Sequence, residues 1–358
     1  MVSWIEEWLE QVSNLAAVDE KQGTGEILWR TIDNALLRKD AVEDVKQSKV
    51  ALNLANILTN TSSIYIRRLV VMSLLSVVKA EAVGDLQVDL IQTLVPLYCN
   101  LKDSKRVRAI LGEIVGILLN QCNEETGGLP LSALRLGDLE GLALSIIQIL
   151  SSSSPDGQFQ ALQLLLSAVR LSGFPAVFVQ AGGIHCTIHC GVGESLVEAA
   201  MSLRSLRRLL EVAPAKVGVG KMLLTNHVTR EGLFKIASIV EESATASASL
   251  SKEENEWLME SALLWGTLCA SNAICQDLIR RELEPCDPAS CAALAQALSQ
   301  LLHKVRRANQ GGAARGIDMY INGLIGGVEA VFKGNKRFPN SGAAGSLPSS
   351  ATPQAVTP

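Results

Sequence analysis

The sequence predicts an all-α chain built as a repeat array of stacked helices, and three observations carry that prediction. First, apolar residues make up 48% of the 358 residues while aromatics supply only 4%. The bulk is Leu, Ala, Val and Ile, a mixture that packs helices by aliphatic ridges better than it fills a β-sandwich. Second, almost every apolar stretch has helical spacing: positions 52, 54, 55, 57 and 58 in Leu52–Leu58, and steps of three or four through Ile66–Val78. Third, the breaks between stretches are short and rich in turn formers, as at Thr59–Ser63, Lys102–Lys105 and Ser151–Gly157 with Pro155.

Taken in order, residues 1–44 carry two amphipathic helices with Trp4, Trp8 and Trp29. A solenoid must close its open end, so these read as N-terminal capping helices. From 45 to 333 one unit recurs: an apolar helix of about ten residues, a polar turn and a longer apolar helix. The units begin near Val50, Leu90, Gly141, Gly183, Gly232 and Ala292, mostly about 40–50 residues apart, with a longer last step. The Ser/Ala-rich stretch Glu241–Lys252 is expected to be a loop that lengthens its unit. Residues 334–358 hold almost no large apolar side chain and many Gly, Ser and Pro, so a disordered tail is expected there.

The unit around Gly182 has a more specific pattern. Val177–Gln180 is followed by Gly182-Gly183, then Ile184–Cys190, a polar gap Gly191–Glu194, and a long stretch Leu196–Glu211 with Ala200, Leu203 and Leu206 at core spacing. This segment resembles an armadillo repeat, in which a short helix, a Gly-Gly turn, a second helix and a long third helix follow one another. Weaker copies are LIQTLVPLYCNLKDSKRVRAILGEIVGILLN and the run from His227 through Asn272. The resemblance spans roughly residues 45 to 332 and implies a right-handed αα-superhelix, an armadillo-like solenoid whose third helices line a concave, partner-binding groove. The import receptors of that family grip basic peptides with Trp and Asn four residues apart on successive third helices. The matching positions here are Met72/Ser76 and Met201/Ser205, so that use is not expected.

Composition narrows the function. A net charge of −4 and a pI of about 5.7 argue against a nucleic-acid binder. The most apolar run, Leu69–Val78, is too short for a membrane span of about 20 residues. Glu6, Glu7 and Glu10 interrupt any leader, so a cytoplasmic protein is expected. Eight cysteines spread through such a chain read as reduced thiols.

Candidate chemistry is sparse. His185, Cys186, His189 and Cys190 place four potential zinc ligands within six residues. On a helix the His pair and the Cys pair occupy adjacent faces, so closing all four on one ion would distort it. Core and surface roles are the expectation, with metal binding as the alternative. Cys269, Cys275, Cys286 and Cys291 lack any Cys-x-x-Cys pair and read as core. Val217–Met222 resembles a phosphate loop but has Ala215 and Met222 where glycine and a hydroxyl are required, so a connecting turn is expected. His185, His189, His227 and His303 sit in no recognised catalytic setting. No enzyme and no cofactor are therefore expected.

Three basic clusters remain: Lys102/Lys105/Arg106/Arg108, Arg204/Arg207/Arg208 and His303/Lys304/Arg306/Arg307. Leu203, Leu206 and Leu210 are expected to form the buried stripe of their helix, with Arg204, Arg207 and Arg208 beside it, facing a protein partner of acidic character. The function expected is a non-catalytic protein-interaction scaffold or adaptor, as a monomer or within a complex. The alternatives are a co-chaperone clamping a folded client and a metal protein using the His185–Cys190 segment.

Overall fold

The computed structural model describes residues 4–17, 22–101, 104–125, 134–152, 155–212, 218–245, 250–308 and 314–333. Among these the secondary structure is helical throughout, with no strand. The expected tail 334–358 lies outside the described residues, as do Lys102 and Val217.

The elements fall into repeating groups. The first holds α1 (Trp4–Ala17) and α2 (Gln22–Ala35), the second α3 (Lys39–Gln47), α4 (Val50–Asn60) and α5 (Ile64–Lys79). A 3-10 turn at Gly84–Leu86 leads into α6 (Gln87–Asn100) and α7 (Lys105–Glu125), and then come α8 (Leu136–Leu150) and α9 (Pro155–Ala168). Three full triplets follow: α10 (Phe174–Gln180), α11 (Gly183–Gly191) and α12 (Leu196–Val212); α13 (Val219–Thr225), α14 (His227–Thr245) and α15 (Lys252–Ala270); α16 (Ala273–Leu283), α17 (Pro288–Ala308) and α18 (Ala314–Lys333). The unit starts read from the sequence fall at or within α4, α6, α8, α11, α14 and α17. Residue 44, the expected end of the cap, falls inside α3.

Two layers result. In one, α2, α5, α7, α9, α12, α15 and α18 each pack on the next. In the other, α1, α4, α6, α8, α11, α14 and α17 do the same. Each unit exposes an apolar face above and below until its neighbours cover it, which is why a single cluster of buried side chains extends from Ile5 to Phe332. The N-terminal pair is stitched in by polar contacts as well. The Trp8 indole donates to the Leu28 carbonyl at 2.8 Å, and the Trp29 indole donates to Ser76 Oγ on α5 at 3.3 Å.

Helix starts follow from local chemistry. Ser63, Ser251 and Asn272 accept from the backbone N–H three residues on, and Ser251 with Glu254 completes a reciprocal capping box. The Gly182-Gly183 turn has two separate causes. Gly182 sits at φ +86°, where L side chains are strained, and a Cβ on Gly183 would meet the Phe178 ring at 2.4 Å.

Several expectations are corrected here. The loop expected over Glu241–Lys252 is shorter, because α14 continues through Thr245. Val217–Met222 is more than a turn: Gly218 takes a left-handed conformation and α13 begins at Val219, with Gly220 close-packed on Cys275. The buried stripe of α12 runs through Leu203, Leu206 and Leu209, while Leu210 is only half-buried, since steps of three keep the narrow face toward α11 and α15. The His303/Lys304/Arg306/Arg307 cluster lies on α17, which belongs to the α14 layer and not to that of α12.

Candidate functional site

The layer of long helices carries a surface groove across α7, α9 and α12. On α7, Gly112 and Gly116 lie four residues apart and line it beside Leu164 and Ser167 of α9. Val197, Met201 and Val212 of α12 form an apolar wall, and the two valines are 46% and 45% exposed. This depression is about 690 Å³. It shares Gly112, Gln160 and Leu164 with a second depression of about 740 Å³ bounded by α6, α7, α8 and α9. Side by side along α7 and α9 they make up a channel.

The arginines singled out in the sequence behave in three ways. Arg204 lines the groove, but its Nε donates to Glu260 at 2.7 Å and its Nη2 to Glu256 at 2.9 Å, both on α15. Arg208 also lines the groove and pairs with Glu211 at 3.0 Å. Arg207 turns inward: it is 8% exposed, pairs with Glu211 at 2.9 Å and donates to Glu260 from two nitrogens at 3.3 Å. Tyr320 of α18 completes the network by donating to Glu211 at 2.5 Å. The cluster thus joins three successive units.

Charge states follow from that geometry. Burial opposes the charge on Arg204 and Arg207, but the facing carboxylates outweigh it and both guanidiniums are held more firmly protonated. Burial likewise pushes the Glu211 carboxyl up, yet the Tyr320 hydrogen bond together with Arg207 and Arg208 brings it below its ordinary range. The network is an inter-unit clasp of ion pairs.

Elsewhere in the channel the balance differs. Glu113 is taken up by Lys79 of α5 at 2.8 Å, and Glu256 by Arg204. Arg170 is exposed and has no ion pair among the described residues. The same holds for Lys105 and Arg106, while Arg108 lies over the Tyr98 ring at 5.4 Å with its Nε unpartnered. No described carboxylate lines the second depression. Every carboxylate of the channel among the described residues is paired within the protein, whereas Lys105, Arg106, Arg108 and Arg170 are left over. Lys105, Arg106 and Arg108 of the first basic cluster are thus without an ion pair among the described residues.

The His185–Cys190 segment forms α11. Cys190 is buried with its thiol toward the Leu150 carbonyl, Cys186 Sγ lies 3.1 Å from Ser151 Oγ, His189 is exposed and His185 half-buried. Among the described residues no group of three or more His, Cys, Asp or Glu side chains converges as a metal site. Cys269, Cys275 and Cys291 are buried and Cys286 is exposed. Burial pushes the Cys269 thiol up to about 12, a weak nucleophile at neutral pH.

The stacked units define the class by fold alone: an all-α helical repeat protein with a groove along its long-helix layer. No protein-family model and no curated protein matches the chain. Among solved structures, an engineered protein overlays with a TM-score of 0.48 and 15% identity, over 80% of this chain and 97% of that one. A second engineered protein does so at 0.41 and 12%, over 90% and 98%. A designed armadillo repeat protein aligns at 0.38 and 11%, over 89% and 99%. No described helix is long and apolar enough to cross a membrane.

Proposed function

We propose that the chain is a non-catalytic scaffold or adaptor that holds a segment of a partner protein in the channel across α7, α9 and α12. One observation carries the reading: the channel is the place where unpaired cations and exposed apolar side chains meet. Val197, Met201 and Val212 offer apolar area that water leaves on contact, and Arg170 with the cluster at the start of α7 sets the sign of the partner. Arg204 and Arg208 contribute as the rim of the groove, already neutralised by Glu256, Glu260 and Glu211, and Arg207 supports the wall from inside. The eight free cysteines support work in a reducing compartment, the cytoplasm.

The test is affinity purification with mass spectrometry of the intact chain against Val197→Asp with Met201→Glu, both shown to unfold at the same temperature. A small reproducible set of proteins is expected with the first and should be lost with the second. An identical set from both would place binding outside the channel.

A further inference from the structure

We infer that the depression bounded by α6, α7, α8 and α9 is a recognition site for a phosphorylated serine or threonine in the partner segment; this rests on the scaffold reading and names the chemistry that the partner brings. Lys105, Arg106 and Arg108 all line this depression, and no described carboxylate does. They fall within four consecutive positions of one helix, so their Cα atoms span about 4.5 Å along its axis. All three side chains line the same depression, Lys105 and Arg108 from one face of the helix and Arg106 from the next. A phosphate group concentrates nearly two charges and three acceptor oxygens at one point and matches them.

The surroundings fit the rest of a phosphorylated residue. Arg108 is steadied by the Tyr98 ring beneath it, and its Nε has no partner among the described residues. Gln148, Ser152 and Gln160 offer neutral hydrogen-bonding groups that impose no opposing charge. Ile149 and Leu164 supply an apolar edge for a neighbouring side chain. The shared residues Gly112, Gln160 and Leu164 place the depression beside the groove that carries the apolar wall of α12. The 334–358 tail of this chain is a poor occupant on charge: Lys336 and Arg337 are its only charged side chains, and both are cationic.

The experiment uses the full chain and peptide libraries with a central phosphoserine or phosphothreonine, beside twins carrying Ser or Thr and twins carrying Asp or Glu. Fluorescence anisotropy should show the phosphorylated library binding roughly tenfold or more tighter than either twin, with inorganic phosphate competing. Lys105→Glu with Arg106→Glu should abolish that difference, and Lys105→Arg with Arg106→Lys should keep most of it. Equal binding of phosphorylated and acidic libraries overturns the inference in favour of a general acidic site. Binding to anionic phospholipid vesicles without phosphopeptide binding overturns it in favour of a membrane surface. If phosphorylation has no effect while protein recovery still depends on Val197 and Met201, this inference fails and the scaffold reading stands. If recovery is indifferent to them too, both fail.

Discussion

The two ends of the channel use the same residue type in opposite ways. At the α12 end, Arg204, Arg207 and Arg208 are bound to Glu211, Glu256 and Glu260 and join α12, α15 and, through Tyr320, α18. At the α7 end, Lys105, Arg106 and Arg108 face the channel without any ion pair among the described residues. One cluster is spent on holding units together, and the other is the one proposed to meet a partner. The difference lies in what the next unit supplies. Glutamates on α15 project toward α12, whereas Gln160 of α9 meets the start of α7 with a neutral amide. A charged patch in a repeat protein is therefore read against its neighbouring unit before it is read as a binding surface.

The comparison first breaks at the packing beneath the arginines. Leu203 and Leu206 are fully buried, and Leu203 approaches Gly191 so closely that a Cβ there would sit 2.9 Å from it. Leu203→Ala or Leu206→Ala should cost about 2–5 kcal/mol in urea denaturation, as for a leucine lost from a packed core. A near-neutral outcome at both positions would mean that α12 is not held by this stripe.

The clasp itself comes next. Glu260→Gln leaves Arg207 buried with only Glu211 to balance it. The cost should approach about 3 kcal/mol, the low end for a broken buried pair because Glu211 and Glu256 remain. Adding Arg207→Met should recover part of that loss, since the stranded charge is then gone. Additive losses in the double variant would mean that the two side chains do not interact.

A smaller effect distinguishes the floor of the α7 end. Burial, opposed in part by Arg108, raises the Tyr98 hydroxyl from its ordinary 10.0 to about 12. Burial also lifts the Cys99 and Cys190 thiols to about 11. A raised folded-state value stabilises fully below the unfolded value and is lost as pH rises through the folded one. Stability should therefore hold to about pH 9 and decline toward about pH 12. Tyr98→Phe, which keeps the ring under Arg108, should recover about 1 kcal/mol at about pH 11 by removing one such group. Parallel pH profiles for the two proteins would show that Tyr98 ionises as freely in the fold as outside it.

These regions were unequally legible in the sequence. Helical spacing and turn chemistry are local, so unit starts from Val50 to Ala292 and the Gly182-Gly183 turn could be read directly, and the structure places them on helices α4 to α17. The fate of Arg204 was not local. Its partners Glu256 and Glu260 lie 52 and 56 residues away, one unit further along the solenoid. A signal was present in hindsight: Glu256 and Glu260 are four apart, as are Arg204 and Arg208, on long helices of successive units. The inward turn of Arg207 follows from the same glutamate. Conversely, the cluster at the start of α7 was visible as charge, but the ring of Tyr98 and the neutral amide of Gln160 that make it a site come from α6 and α9.

The sharpest use of the comparison is also the one with the smallest expected change in stability. Lys105→Glu with Arg106→Glu removes two exposed cations that contact no carboxylate among the described residues. No described side chain pairs with them, so the urea midpoint should correspond to a change within about 0.5 kcal/mol. Reversing Arg204 and Arg208 to glutamate is the matched experiment at the other end. There the new carboxylates face Glu256, Glu260 and Glu211, and like charges at ion-pair distance must separate or protonate. That variant should lose at least about 2 kcal/mol, because buried Glu260 loses one partner and gains a repulsion. Equal losses from the two double variants would mean that the α7 cluster is also a structural clasp, and its charge would then not be free for a partner.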